Sequence, residues 1–129
     1  MVDWAKVTWD DMLKAMPKLA KDIEGKYTFD VVIFDDDGNE QTKFYVAVEG
    51  GGVTIEEGES GDPETVPFHI KRGGMETMKA MQIEGVDAAM RFMFDGSIYT
   101  TNPSGAEKWF ELFELGEEPL EKALDEVMG

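Results

Sequence analysis

Along this chain the apolar positions change period, from helical spacing to alternation and back, and the changes fall at Gly, Pro and Asp/Asn clusters. Trp9, Met12, Leu13 and Met16 recur at three- and four-residue steps behind Thr8 or Asp10 as a cap. They predict a first helix, with Pro17 in the first turn of a continuation through Leu19 and Ile23 that Gly25 closes. Tyr27 to Phe34 alternates, with Tyr27, Phe29, Val31 and Ile33 on one face, and the turn Asp35-Asp36-Asp37-Gly38-Asn39 leads into a second strand from Thr42 to Val48. The Gly50-Gly51-Gly52 turn introduces a third strand, Val53 to Glu57. A polar loop through Gly58, Gly61 and Pro63 precedes a fourth, Thr65 to Ile70. Pro67 cannot donate to a ladder, so that strand is expected to be short, bulged or paired on one side there.

Five of the nine methionines lie in the next stretch. Met75, Met78 and Met81 share one side of a helix that Gly74 and Gly85 bound. Val86, Ala89, Met90, Met93 and Phe94 predict a second helix, which Asp95-Gly96 ends before a fifth strand through Ile98 and Thr100. Asn102-Pro103-Ser104 makes a turn into a helix from Ala106 to Leu115 bearing Trp109, Phe110, Leu112 and Phe113. Leu120, Ala123, Leu124, Val127 and Met128 then form a stripe that must lie against something apolar, as a packed terminal helix or as a lid. The order predicts one α+β domain over residues 1–129, a sheet with helices on one face. Unbranched, polarizable thioethers repack around apolar shapes more readily than Ile or Val, so the two Met-rich helices suit an oily ligand as well as an ordinary core.

Composition narrows the functions. The chain has no Cys, which excludes disulfides, thiolate metal sites and cysteine nucleophiles. With 28 acidic against 12 basic residues, its formal charge of −16 repels phosphate backbones, so nucleic acid is not an expected partner. No apolar run approaches the ~20 residues that span a bilayer, and the start lacks the basic-then-apolar order of a signal peptide. A soluble, cytoplasmic protein without integral membrane association is expected.

Motifs for chemistry mostly fail. Aligning Gly38 with the invariant glycine of a calcium loop puts Ile33 and Phe44 at the first and last ligand positions. Gly50-Gly51-Gly52 precedes a strand rather than a helix, so it offers no phosphate cradle. Proline in Asn102-Pro103-Ser104 rules out a glycosylation acceptor. His69, the sole histidine, has no carboxylate at a diagnostic spacing, and no enzyme, metal or cofactor is expected.

Five segments together resemble the sterol carrier protein type 2, or sterol-binding, domain family over nearly the whole chain. They are Tyr27 to Phe34, Val66-Pro67-Phe68-His69-Ile70, the helix ending at Gly85, Ala88 to Tyr99 with its Phe94-Asp95-Gly96-Ser97 core, and Gly105-Ala106-Glu107-Lys108-Trp109-Phe110. The resemblance implies a five-stranded, mostly antiparallel sheet with helices packed on one face, enclosing an apolar tunnel. It also implies non-catalytic binding and carriage of fatty acyl chains, sterol-like molecules or other lipids. The chain ends Glu126-Val127-Met128-Gly129 instead of in a peroxisomal targeting tripeptide, so peroxisomal import is not implied.

Apolar residues expected to line such a cavity are Phe44, Phe68, Met78, Met81, Met90 and Met93, with Phe94, Trp109, Phe110, Phe113 and Leu124. A rigid void of ~400 Å³ would cost about 10 kcal/mol at ~24 cal/mol per Å³, which rivals the stability of a small domain. The ligand-free protein is therefore expected to collapse its Met-rich wall or to hold a scavenged lipid. An alternative role is an accessory module that presents lipid to, or docks on, a partner enzyme; self-association is left open.

Overall fold

Thr8 opens the first helix with a reciprocal cap: its hydroxyl accepts from the Asp11 amide (3.2 Å) while the Asp11 carboxylate accepts from the Thr8 amide (3.0 Å). A computed structural model describes residues 2–20, 25–50, 52–113 and 116–129. Helix α1 runs Trp9–Leu19 and buries Met12, Leu13, Ala15 and Met16. Pro17 sits inside its last turn instead of starting a continuation, and Ala20 is already extended. Ile23, Gly51 and Leu115, which belong to the elements predicted above, lie outside the described residues.

The strands are β1 (Lys26–Phe34), β2 (Glu40–Glu49), β3 (Gly52–Glu57), β4 (Val66–Ile70) and a two-residue β5 (Ile98–Tyr99). Helices α2 (Met75–Glu84) and α3 (Val86–Asp95) separate β4 from β5, and α4 (Pro103–Phe113) and α5 (Glu117–Met128) close the chain. The sheet order is β3-β2-β1-β4-β5, with β1 and β4 parallel and every other pair antiparallel. This is an α+β fold with a mixed, mostly antiparallel sheet. None of the described helices is long and apolar enough to cross a membrane.

Register puts the apolar halves of the strands on one face. Val31 faces Phe44 on one side and Phe68 on the other, and Phe29 faces Val46 and Val66. All six are buried, and with Ile33 and Ile70 they form the floor of the core. The opposite face carries Asp30, Tyr45, Pro67 and His69. There Asp30 accepts from the Ser60 hydroxyl (2.5 Å) and the Thr65 hydroxyl (2.7 Å), which ties the polar loop before β4 across the sheet. At Pro67 only β1 pairs with β4, because β5 reaches no further than His69 and Ile70.

The acidic hairpin turn is held by its own carboxylate: Asp35 Oδ1 accepts from the amides of Asp37 (3.0 Å) and Asn39 (2.9 Å). Among the described residues no group of three His, Cys, Asp or Glu could hold a metal ion. Asn102-Pro103-Ser104 proves to be a helix start, where Asn102 Oδ1 accepts the Gly105 amide (2.9 Å) and Pro103 is the first residue of α4. α5 packs on α1, with Leu120 and Leu124 fully buried and an ion pair from Lys18 to Glu126. It is thus a packed element of the core in this structure, and Met128 is its exposed end.

Candidate functional site: an aromatic and thioether interior under an exposed helix face

Trp109 occupies the centre of the interior and is fully buried. Its indole stacks on Phe68 (centroids 5.9 Å, 18°), meets Phe29 edge-on (5.6 Å, 80°) and tilts against Phe113 (4.8 Å, 56°). Local sequence sets this up. Ala106, Trp109, Phe110 and Phe113 follow helical spacing on α4, and Gly105 lets that helix press on β4, since a Cβ there would meet Val66 at 2.6 Å. From α2, Met78 and Met81 are fully buried, and Thr77 anchors the helix start by donating to the Arg72 carbonyl (2.8 Å).

Of the expected cavity-lining residues, the structure brings Phe44, Phe68, Met78, Met81, Trp109, Phe110, Phe113 and Leu124 into one core, each 8% exposed or less. They fill that interior with their own side chains, and the described residues do not show an apolar tunnel. Two hollows open at the surface instead. One of about 540 Å³ between α1 and α5 is lined by Lys18, Glu118, Lys122 and Glu126 among others. Another of about 470 Å³ includes Asp35, Asp36, Gln41 and Glu76. Leu19, Pro119 and Ala123 also line the first, and Phe34 and Met75 the second.

Met90, Met93 and Phe94 are not interior residues: they are 54%, 45% and 88% exposed. α3 turns Ala88 and Ala89 inward, with Phe92 half-buried, and presents Val86, Met90, Met93 and Phe94 outward. The small alanines let this helix lie close to the core, so its large apolar stripe has only the outer side left. Gly85 (φ 64, ψ −132) and Gly96 (φ 81) bracket α3 in backbone conformations that favour glycine. Arg91 lies over the Phe92 ring (5.0 Å) and pairs with Glu84 (3.4 Å), Lys71 lies over the Tyr99 ring (5.2 Å), and the Arg72 guanidinium donates to the Asp95 carbonyl.

Sequence reasoning did not single out the buried polar residues Thr28, Thr77, Gln82 and Ser97. Gln82 is fully buried, and neither its amide nitrogen nor its amide oxygen has a hydrogen-bond partner among the described residues; the indole nitrogen of Trp109 shares that state. Its main-chain carbonyl is used, accepting the Gly116 amide (3.3 Å). Unsatisfied buried polar atoms are rare because each forfeits its bonds to water. The spacing Met78, Met81, Gln82 is i, i+3, i+4, which was the available signal that this glutamine faces inward.

His69 lies on the outer face of the sheet between the rings of Phe34 (5.6 Å) and Tyr99 (6.0 Å). Burial, and to a smaller degree the Lys71 ammonium, holds its imidazole below the ordinary histidine value. Among the described residues its side chain contacts these two rings, with no hydrogen bond or ion pair. No protein-family model matches the chain, and no curated protein matches it. Fold and site together describe an α+β domain with an aromatic and thioether interior and an exposed apolar helix.

Proposed function

We propose that this protein is a non-catalytic carrier of hydrophobic small molecules in the cytoplasm, taking a lipid-like guest into the interior between the sheet and α2, α3 and α4. The carrying observation is the outer face of α3, where Phe94 stands 88% exposed beside Met90, Met93 and Val86 on a chain whose charge is −16. Such a contiguous apolar surface on a highly charged protein marks a place where something apolar is met. The resemblance to sterol carrier domains supports the same reading.

The filled interior suits the ligand-free state of such a carrier, because an empty rigid void would carry the cavity penalty. Room for a guest then comes from rearrangement. Met78 and Met81 repack at modest cost, and α3, held inward by Ala88, Ala89 and Phe92 between two glycines, is the element this reading has move. Burying ~10 methylenes gains about 8 kcal/mol, which corresponds to micromolar affinity before the cost of ordering guest and wall.

The exposed face also supports a second role, in which α3 docks on a partner enzyme and presents the guest to it. Native mass spectrometry of freshly purified and delipidated protein tests the main reading. The expected result is a bound lipid that is lost on delipidation, together with a Tm that rises when fatty acids or fatty alcohols are added back. Absence of both would refute it. Phe94→Asp should leave stability within about 0.5 kcal/mol yet slow guest uptake from vesicles; unchanged uptake with lost cross-linking to an enzyme would favour the docking role.

A further inference from the structure

Gln82 is fully buried on the inward stripe of α2 that also carries Thr77, Met78 and Met81. Its amide offers two donors and an acceptor, and none of them has a hydrogen-bond partner among the described residues. The indole N–H of Trp109 is likewise buried without a partner among the described residues. Among the described residues no Lys, Arg, Asp or Glu is buried, so an ionised group brought inside would find no opposite charge. A guest end that is uncharged and can both donate and accept would satisfy the amide without stranding a charge.

We infer that Gln82 recognises the polar end of the carried molecule, and that this end is a neutral hydroxyl, as on a long-chain alcohol or a sterol. The inference rests on the proposed carrier function and adds the head group to it. Hydrocarbon burial supplies most of the affinity and discriminates little between chains, whereas a placed amide rejects a guest that leaves it unpaired. Helical spacing puts Gln82 on the inward side of α2 with Met78 and Met81, and its burial without a partner among the described residues is what assigns it a ligand-facing role.

The test uses the delipidated full-length protein and three probes of equal chain length: an alkane, a primary alcohol and a carboxylate. Binding is read by displacement of a fluorescent fatty probe, in wild type and in Gln82→Met, which keeps the shape and removes the amide. Wild type should bind the alcohol roughly tenfold or more tightly than the alkane, and also more tightly than the carboxylate. In Gln82→Met that preference should shrink to about twofold, and the Tm of the lipid-free variant should equal or exceed that of wild type, because an idle buried amide is gone. Gln82→Leu serves as a second variant should the first fail to fold.

Equal binding of alcohol and alkane by wild type would overturn the inference while leaving the carrier reading intact. A carboxylate bound more tightly than the alcohol would overturn it too, as would an alcohol preference that survives in Gln82→Met. A lower Tm in the lipid-free variant would show an amide already satisfied by trapped water, and the head-group assignment would fall with it. Failure of all three probes to bind wild type would instead sink the carrier reading itself.

Discussion

Trp109 is the residue on which the interior is most dependent, and two substitutions separate its packing from its polar atom. Trp109→Ala removes a fully buried indole that touches three aromatic rings, Phe29, Phe68 and Phe113. Large-to-small changes at such sites cost about 3–5 kcal/mol, and aromatic pairs add ~0.5–1.5 kcal/mol each beyond burial, so a loss of about 5 kcal/mol is expected. That is a large part of the ~5–15 kcal/mol available to a domain. At roughly 4 °C per kcal/mol for a chain of this length, Tm should fall by about 20 °C. Trp109→Phe loses about two methylene equivalents, ~1.6 kcal/mol, but also removes an indole N–H that has no partner among the described residues, a relief of about 1–3 kcal/mol. These nearly cancel, and the variant should stay within about 1.5 kcal/mol of wild type. Urea denaturation followed by far-UV circular dichroism is the assay, since Trp4 and Trp9 would complicate fluorescence; an unchanged m-value confirms that stability alone has moved. Should Trp109→Phe fall as far as Trp109→Ala, the indole N–H is bonded after all and the account of an idle donor is wrong. A cost below about 2 kcal/mol for Trp109→Ala would show that the ring cluster is not the centre of the core.

Two further outcomes follow from local structure. Thr8→Ala breaks the reciprocal cap of α1 and should cost about 1 kcal/mol by urea denaturation, with no effect on guest binding. Because His69 is held below its ordinary value near 6.5, the unfolded chain takes up the proton more readily than the folded one. Its contribution is therefore neutral above that value and destabilising as pH falls through and below it. Relative to His69→Gln, wild type should be equally stable at pH 7.5 and lose ground by pH 5.5; a pH-independent difference would refute this.

Much of the architecture could be read before any coordinates because local chemistry states it. Alternation in Tyr27 to Phe34, the Asp35 to Asn39 turn and the glycines at 74 and 85 placed β1, its hairpin and α2 within a residue or so, since each signal acts over a few neighbouring residues. Phe68, Met78, Met81, Trp109 and Phe113, expected to line a cavity, lie buried in the core, which helical or alternating spacing alone is enough to explain. Tertiary structure decided the rest. Periodicity shows that Met90, Met93 and Phe94 share a stripe, but not that Ala88 and Ala89 outcompete them for the core. That choice depends on how closely α3 can approach the elements beneath it. It equally cannot show that β4 runs parallel to β1, nor that the glutamine at position 82 loses its water, because both arise from elements distant in sequence. The phase of a helix is a property of its own residues. Which side of it becomes the inside is settled by the surfaces that meet it.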